Sequence, residues 1–92
     1  MQIRWTKLAA RDFNNICDYT HEHIGVLAAR RLALQIYESI GRLAQFPHSG
    51  RPGRKPHTRE LVFTDTPFLA VYRVRGEAVE IARILHGAQK WP

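Results

Sequence analysis

The chain has 92 residues, 45% of them apolar, and a formal net charge of +6. That makes one small domain, 1–92, with a modest core and no room for separate cofactor and substrate domains. The single cysteine, Cys17, excludes an internal disulfide. No window approaches the roughly 18 apolar residues of a membrane span, and Met1–Trp5 lacks a signal peptide's apolar run, so a reducing, cytoplasmic setting is expected.

The chain opens with Gln2-Ile3-Arg4-Trp5, a short alternating strand that places Ile3 and Trp5 on one face and needs a sheet to join. Thr6 is positioned to cap the following helix. Residues 7–21 carry Ala9, Phe13, Ile16, Cys17 and Thr20 on one stripe at spacings of three and four, which predicts an amphipathic helix with Cys17 as core rather than nucleophile. His21-Glu22-His23-Ile24-Gly25 reads as a break. Its two histidines do not share a helix face and no second ligand cluster lies near, so no metal is expected.

Residues 26–46 repeat the helical pattern through Ala29, Ala33, Ile36, Tyr37, Ile40, Leu43 and Ala44, with Leu32 and Leu34 widening the stripe. Gly41 falls inside this stretch as a mark of close packing, and Pro47 ends it. Two such helices joined by a short loop form an antiparallel hairpin.

Pro47–Glu60 contains three prolines, two glycines and four Lys/Arg, with a single acid at its far end. Beyond it the period becomes two. Residues 61–64, 68–74 and 79–85 are expected strands, separated by turns at Asp65-Thr66-Pro67 and Arg75-Gly76-Glu77, and pair as a three-stranded antiparallel meander. The fold class is therefore α+β: a short N-terminal strand, a helical hairpin and the meander. On simple alternation Phe68, Ala70, Tyr72 and Val74 share one face of the second meander strand. Val79, Ile81, Arg83 and Leu85 share one face of the third. Both sheet faces carry apolar groups, one of them explained by the hairpin. Trp91, beside the terminus, either packs back or meets a partner.

Charge is unevenly placed. Residues 39–59 carry five Lys/Arg and no acid, whereas residues 1–38 carry five against four and residues 60–92 four against four. A focused basic loop suggests an anionic partner, with a solubilising connector as the plain alternative. No phosphate-binding glycine loop, HExxH pair or cysteine cluster is present, and neither Ser39 nor Ser49 has a suitable activating neighbour, so no cofactor is expected. The one chemically suggestive set is basic: Arg51, Arg54, Lys55, His57, Arg59, Arg73, Arg83 and His86. Around a phosphodiester, Arg59, Arg73 and Arg83 would stabilise charge and His86 would move a proton, giving metal-free RNA cleavage. That requires the arginines to share a face, which depends on strand register. It also requires a bend near Leu85, because Arg83 and His86 differ by three residues.

The order of elements resembles the RelE/ParE superfamily of type II toxin–antitoxin toxins. The resemblance covers nearly the whole chain and rests on Phe46-Pro47-His48-Ser49-Gly50-Arg51-Pro52-Gly53, Thr58-Arg59-Glu60-Leu61, Ala70-Val71-Tyr72-Arg73-Val74 and Val79–Ala88. The last two stretches, with Trp91-Pro92, are similar to the ParE branch, and the residue after His86 is Gly87 rather than the tail tyrosine of the nuclease branch. The resemblance implies a toxin that poisons DNA gyrase without bond chemistry of its own. It also implies a ParD-like antitoxin whose acidic arm meets Arg51, Arg54, Lys55, Arg59, Arg73, Arg83 and Trp91, with operator DNA bound only through that complex. Two alternatives stand beside it: a ribosome-dependent mRNA endonuclease using His86, Arg83, Arg73 and Arg59, and an inactive binding module.

Overall fold

The architecture was obtained as a computed structural model that describes residues 1–91; Pro92 of the terminal Trp91-Pro92 pair lies outside the described residues. The elements run β1 (Gln2–Trp5), α1 (Lys7–His23), α2 (Val26–Gly41), a 3-10 turn over Arg42–Ala44, β2 (Arg51–Pro52), β3 (Arg59–Val62), β4 (Phe68–Arg75) and β5 (Ala78–His86). The α+β class, the helical hairpin and the meander are as expected.

Thr6 caps α1 as its position predicts, its hydroxyl accepting from the Ala9 amide. The helix continues two residues past its expected end at His21 and takes in Glu22 and His23. The stop comes at Gly25, whose φ of 134° favours glycine. His23 Nδ1 lies 3.0 Å from the Tyr19 carbonyl oxygen and its ring stacks on Tyr19, so the local pairing supports the last turn. The second helix is shorter than expected. It ends at Gly41 and tightens into the 3-10 turn, which directs Leu43 into the core with no exposed surface. Gly41 marks an end and not a close packing, since a Cβ there would meet nothing within 4 Å.

The sheet has five strands in the order β1-β5-β4-β3-β2. The meander pairs antiparallel, and β1 lies parallel to β5. The basic loop contributes β2, a strand of two residues that alternation could not disclose. It is set by cross-strand partners: the Gly53 amide donates to the Thr58 carbonyl at 2.8 Å, closing the loop between β2 and β3.

One register feature overturns the expected faces. Val71 pairs with Arg83 and Tyr72 with Ile81, which leaves Ala82 as the extra residue of a β-bulge. Upstream of it Val79 and Ile81 face the helices with Tyr72 and Val74. Downstream the parity reverses, so Ile84 and not Leu85 joins the hairpin core. Thr6 fixes the bulge by donating from its hydroxyl to the Ala82 carbonyl at 2.8 Å.

The main core gathers Ala9, Ile36, Ile40, Leu43, Phe63, Ala70, Tyr72, Val79, Ile81 and Ile84 between helices and sheet, with Trp5 and Phe13 packed at its margin. Tyr72 is fully buried, and its hydroxyl accepts from the Gly50 amide at 2.9 Å, tying the basic loop to the core. Leu69, Val71 and Leu85 form a smaller cluster on the opposite face.

Candidate functional site

The face turned away from the helices, the open face, is built by cross-strand register. Glu60 of β3 lies opposite Val71 and Arg51 of β2 opposite Glu60; Arg73 of β4 lies opposite Glu80 of β5. Directly opposed side chains share a face, so Arg51, Glu60, Val71, Arg73 and Glu80 line one surface. Glu60 is only 5% exposed, and this burial is compensated by two cations. Arg51 donates to Glu60 Oε1 from Nε (3.1 Å) and Nη2 (2.9 Å), and Arg54 Nε stands 3.6 Å from Oε2. Arg73 donates to Glu80 at 2.8 Å.

The C-terminal segment folds over the same face. The Gly87 amide donates to the Pro67 carbonyl at 2.7 Å, and Arg54 Nη1 donates to the Gln89 carbonyl at 3.0 Å. Trp91 packs on Leu69, Val71 and Leu85, with the Lys55 ammonium 5.4 Å from its ring centroid. Trp91 thus packs back, and basic loop and tail hold one another.

The remaining candidates lie elsewhere. Arg83 stands opposite Val71 in register, yet its side chain is drawn to α1, where Nε donates to Asp12 Oδ2 at 2.7 Å and Nη2 to Oδ1 at 3.0 Å, while the Ile84 amide also donates to Oδ2 at 3.0 Å. The Asp12 hydrogen bond holds the Arg83 guanidinium above the usual arginine range, against the opposing effect of burial. Arg59 pairs with Tyr72 in register and so faces the helical side, donating from Nη1 to the carbonyls of His48 (3.2 Å) and Gly50 (2.8 Å). His86 pairs with Phe68, and their rings meet edge to face at 5.8 Å. Its Nδ1 accepts from the Ala88 amide at 3.0 Å, leaving Nε2 as the free ring nitrogen.

Arg59, Arg73, Arg83 and His86 therefore do not converge. Arg73 is on the opposite face from Arg59, and the registers of Arg59 and His86 are four residues apart along β4, about 13 Å. Register and bulge decided this, and neither was readable from alternation. Cys17 is half-buried, and burial followed by the neighbouring Asp18 charge pushes its thiol up, which disfavours the nucleophilic thiolate.

An apolar groove of about 660 Å³ lies beside the hairpin and the sheet, and the sequence alone did not name its residues as a surface. It runs between the hairpin and the β3–β4 turn, lined chiefly by Ile16, Tyr19, Ile24, Leu32, Phe68 and His86. Tyr19 is 63% exposed and Ile24 72%, and Val26 and Leu27 continue the apolar surface at the hairpin tip. The signal was present: Tyr19, Ile24, Val26 and Leu27 are apolar yet fall outside the predicted helical stripes. Among the described residues, no helix is long and apolar enough to cross a membrane.

Known proteins share this architecture and sequence. The profile of the family described as the ParE toxin of the type II toxin–antitoxin system, parDE, matches residues 3–91. The Sinorhizobium fredii protein Y4kP is 42% identical over 91 residues, covering 99% of this chain and 93% of that protein. Toxin RelE2 of Caulobacter vibrioides is 36% identical over 88 residues, covering 96% and 97%. A chain of the chromosomal ParDE system of P. aeruginosa superposes with a TM-score of 0.85 at 33% identity, covering 94% of this chain and 95% of that one. The Helicobacter pylori protein HP0894, at 18% identity and a TM-score of 0.52 over 91% of each chain, shares the fold alone. The match runs from β1 through the segment folded over the open face, so the chain belongs to the ParE toxin family, as the toxin component of a RelE/ParE-type toxin–antitoxin pair with a cognate antitoxin as its partner.

Proposed function

We propose that this toxin arrests growth by poisoning DNA gyrase, stabilising the cleaved gyrase–DNA complex without bond chemistry of its own. The observation that carries this reading is the dispersal of the phosphodiester-cleaving set. Arg73 and Arg83 are each committed to a carboxylate, and Arg59 and His86 lie far apart on the sheet. A nuclease needs such groups converged on one phosphate. ParE-family membership points the same way.

Neutralisation falls to a ParD-like antitoxin. Its apolar anchors occupy the groove beside Tyr19, Ile24 and Phe68, as an amphipathic segment fills a hydrophobic groove. Its acidic residues meet the basic loop at Arg51, Arg54 and Lys55. Arg59, Arg73, Arg83 and Trp91 support that surface mainly by fixing its shape. Operator DNA is bound through the antitoxin, and both target and antitoxin place the toxin in the cytoplasm.

Supercoiling by purified gyrase tests the reading. The toxin should block supercoiling and accumulate cleaved DNA, and the antitoxin should reverse both. An active preparation that leaves gyrase untouched refutes it. The similarity to a toxin named RelE2 supports a second reading as a ribosome-dependent mRNA endonuclease. In that case toeprinting on translating ribosomes would show A-site cuts that vanish in His86→Gln. Expression without growth arrest in sensitive hosts would instead indicate an inactive binding module.

A further inference from the structure

Away from the ion-paired face lies a second, smaller cavity. It is about 320 Å³ in volume and is lined by His48, Pro52, His57, Thr58, Arg59 and Val74. Its polar wall differs in kind from the open face. Arg51, Arg54, Arg73 and Arg83 each have a carboxylate within 4 Å, whereas among the described residues Arg59 hydrogen-bonds only to backbone carbonyls and no carboxylate lines the cavity. Those carbonyl bonds use Arg59 Nη1 and hold the guanidinium at the cavity without neutralising it. Two imidazoles add N–H donors in either protonation state.

The backbone also points here. His57 has a φ of 65°, in the left-handed region that a non-glycine residue occupies at a cost of order 1 kcal/mol or more. The flanking loop fixes that conformation: Thr58 donates from its hydroxyl to the Lys55 carbonyl at 2.6 Å, and Gly53 pairs with Thr58. A strained residue held at the mouth of a carboxylate-free cavity beside an un-neutralised guanidinium is an arrangement suited to an anion.

We infer that His48, His57 and Arg59 form a phosphate-binding pocket that receives one phosphodiester of the DNA backbone. The inference rests on the gyrase reading for its setting, because a poisoned gyrase complex presents DNA, but the pocket's chemistry stands apart from that reading. One guanidinium and two imidazoles contact backbone oxygens and carry no base readout, so binding is independent of sequence.

The test follows the side-chain signals of the full-length toxin by NMR as a short DNA duplex is added. The histidine ring signals of His48 and His57 and the Arg59 Nε–H should shift together with one dissociation constant, while those of Arg51 and Arg73 stay still. His57→Asp keeps a residue that tolerates the left-handed backbone and sets a negative charge beside Arg59. It should weaken duplex binding about tenfold and flatten the salt dependence by roughly 0.9 in the log–log slope, one phosphate's share. Thr64→Asp, in the turn after β3, controls for net charge and should change affinity less than twofold. Equal losses in both variants, no loss in either, or shifts centred on Arg51 and Arg73 would overturn the assignment.

Inorganic phosphate is the second arm. It should shift the same three residues but bind at least tenfold more weakly than duplex at matched ionic strength. Equal affinity would make this a free-phosphate site and overturn the DNA assignment. Gyrase inhibition by the same variants separates the two readings. Wild-type toxin inert on gyrase but binding duplex through the pocket sinks only the gyrase reading; an active wild type matched in potency by His57→Asp sinks the pocket's part in the target complex.

Discussion

The open sheet face and the hairpin groove answer the problem of exposed surface in opposite ways. On the open face nearly every charged group already has a partner within the chain: Glu60 holds Arg51 and Arg54, Glu80 holds Arg73, and the apolar residues Leu69, Val71 and Leu85 lie under Trp91. In the groove, Tyr19 and Ile24 are mostly exposed. A region rich in formal charge can thus have most of its charged groups held within the chain, while a region unremarkable in charge carries the unsatisfied apolar surface. Self-satisfied surfaces hold shape, and unsatisfied apolar ones bind partners.

The sharpest way to break this contrast is to place a charge in the groove. Ile24→Asp should weaken antitoxin binding about 100-fold, because a desolvated carboxylate would face apolar anchors, whereas Arg73→Ser on the open face should cost under about threefold. Titration calorimetry with the antitoxin compares them, and equal losses would erase the distinction between the two surfaces. Next in size is Asp12→Ala. It strands the partly buried Arg83 and leaves the Ile84 amide without its acceptor, so urea denaturation should show a loss of about 2 kcal/mol. A loss comparable to that of an exposed ion pair would mean that the bulge holds without its clamp.

A smaller effect is expected where the open face joins the core. Tyr72→Phe removes the acceptor for the buried Gly50 amide and should cost about 1 kcal/mol. Gly50→Ala should cost more than Tyr72→Phe, since the new methyl would stand 2.6 Å from the Tyr72 hydroxyl and 2.8 Å from the Glu60 carbonyl oxygen. The smallest effect concerns Cys17. Burial raises its folded-state pKa, so the protonated thiol's contribution to stability is complete below the unfolded value and declines as pH rises through the folded one. At pH 8 iodoacetamide should alkylate Cys17 more slowly than free cysteine; equal rates would show an unshielded thiol.

How much of this was legible depended on whether a feature is local. Helical stripes such as Ala9–Phe13–Ile16 and Ile36–Ile40–Leu43 were visible because their period is intrinsic to the chain. So was the turn at Gly76, whose φ of 56° requires a residue that tolerates it. Arg83 shows the limit. Its partner Asp12 is 71 residues away, and an extra residue at Ala82 reverses the parity by which a reader would assign its face. The basic loop likewise looked like free charge because Glu60 stands at its far end in sequence while lying directly opposite Arg51 across β2 and β3. The groove's residues were not named as one surface for a related reason: Tyr19, Leu32 and Phe68 come from α1, α2 and β4, Ile24 from the link between the helices, and they form a surface only after the hairpin closes on the sheet.

The parallel pairing of β1 with β5 sets a timetable for the molecule. Among the described residues, β1 has one sheet partner, residues 78–81 of β5, on the far side of both helices and the rest of the meander in sequence. Until β5 docks, β1 has no ladder, Thr6 cannot reach Ala82 and Asp12 cannot reach Arg83. Closing so long a loop is the slow kind of folding event, so this sheet and the surfaces built on it assemble late in folding, and every surface of the toxin waits on one long-range pairing.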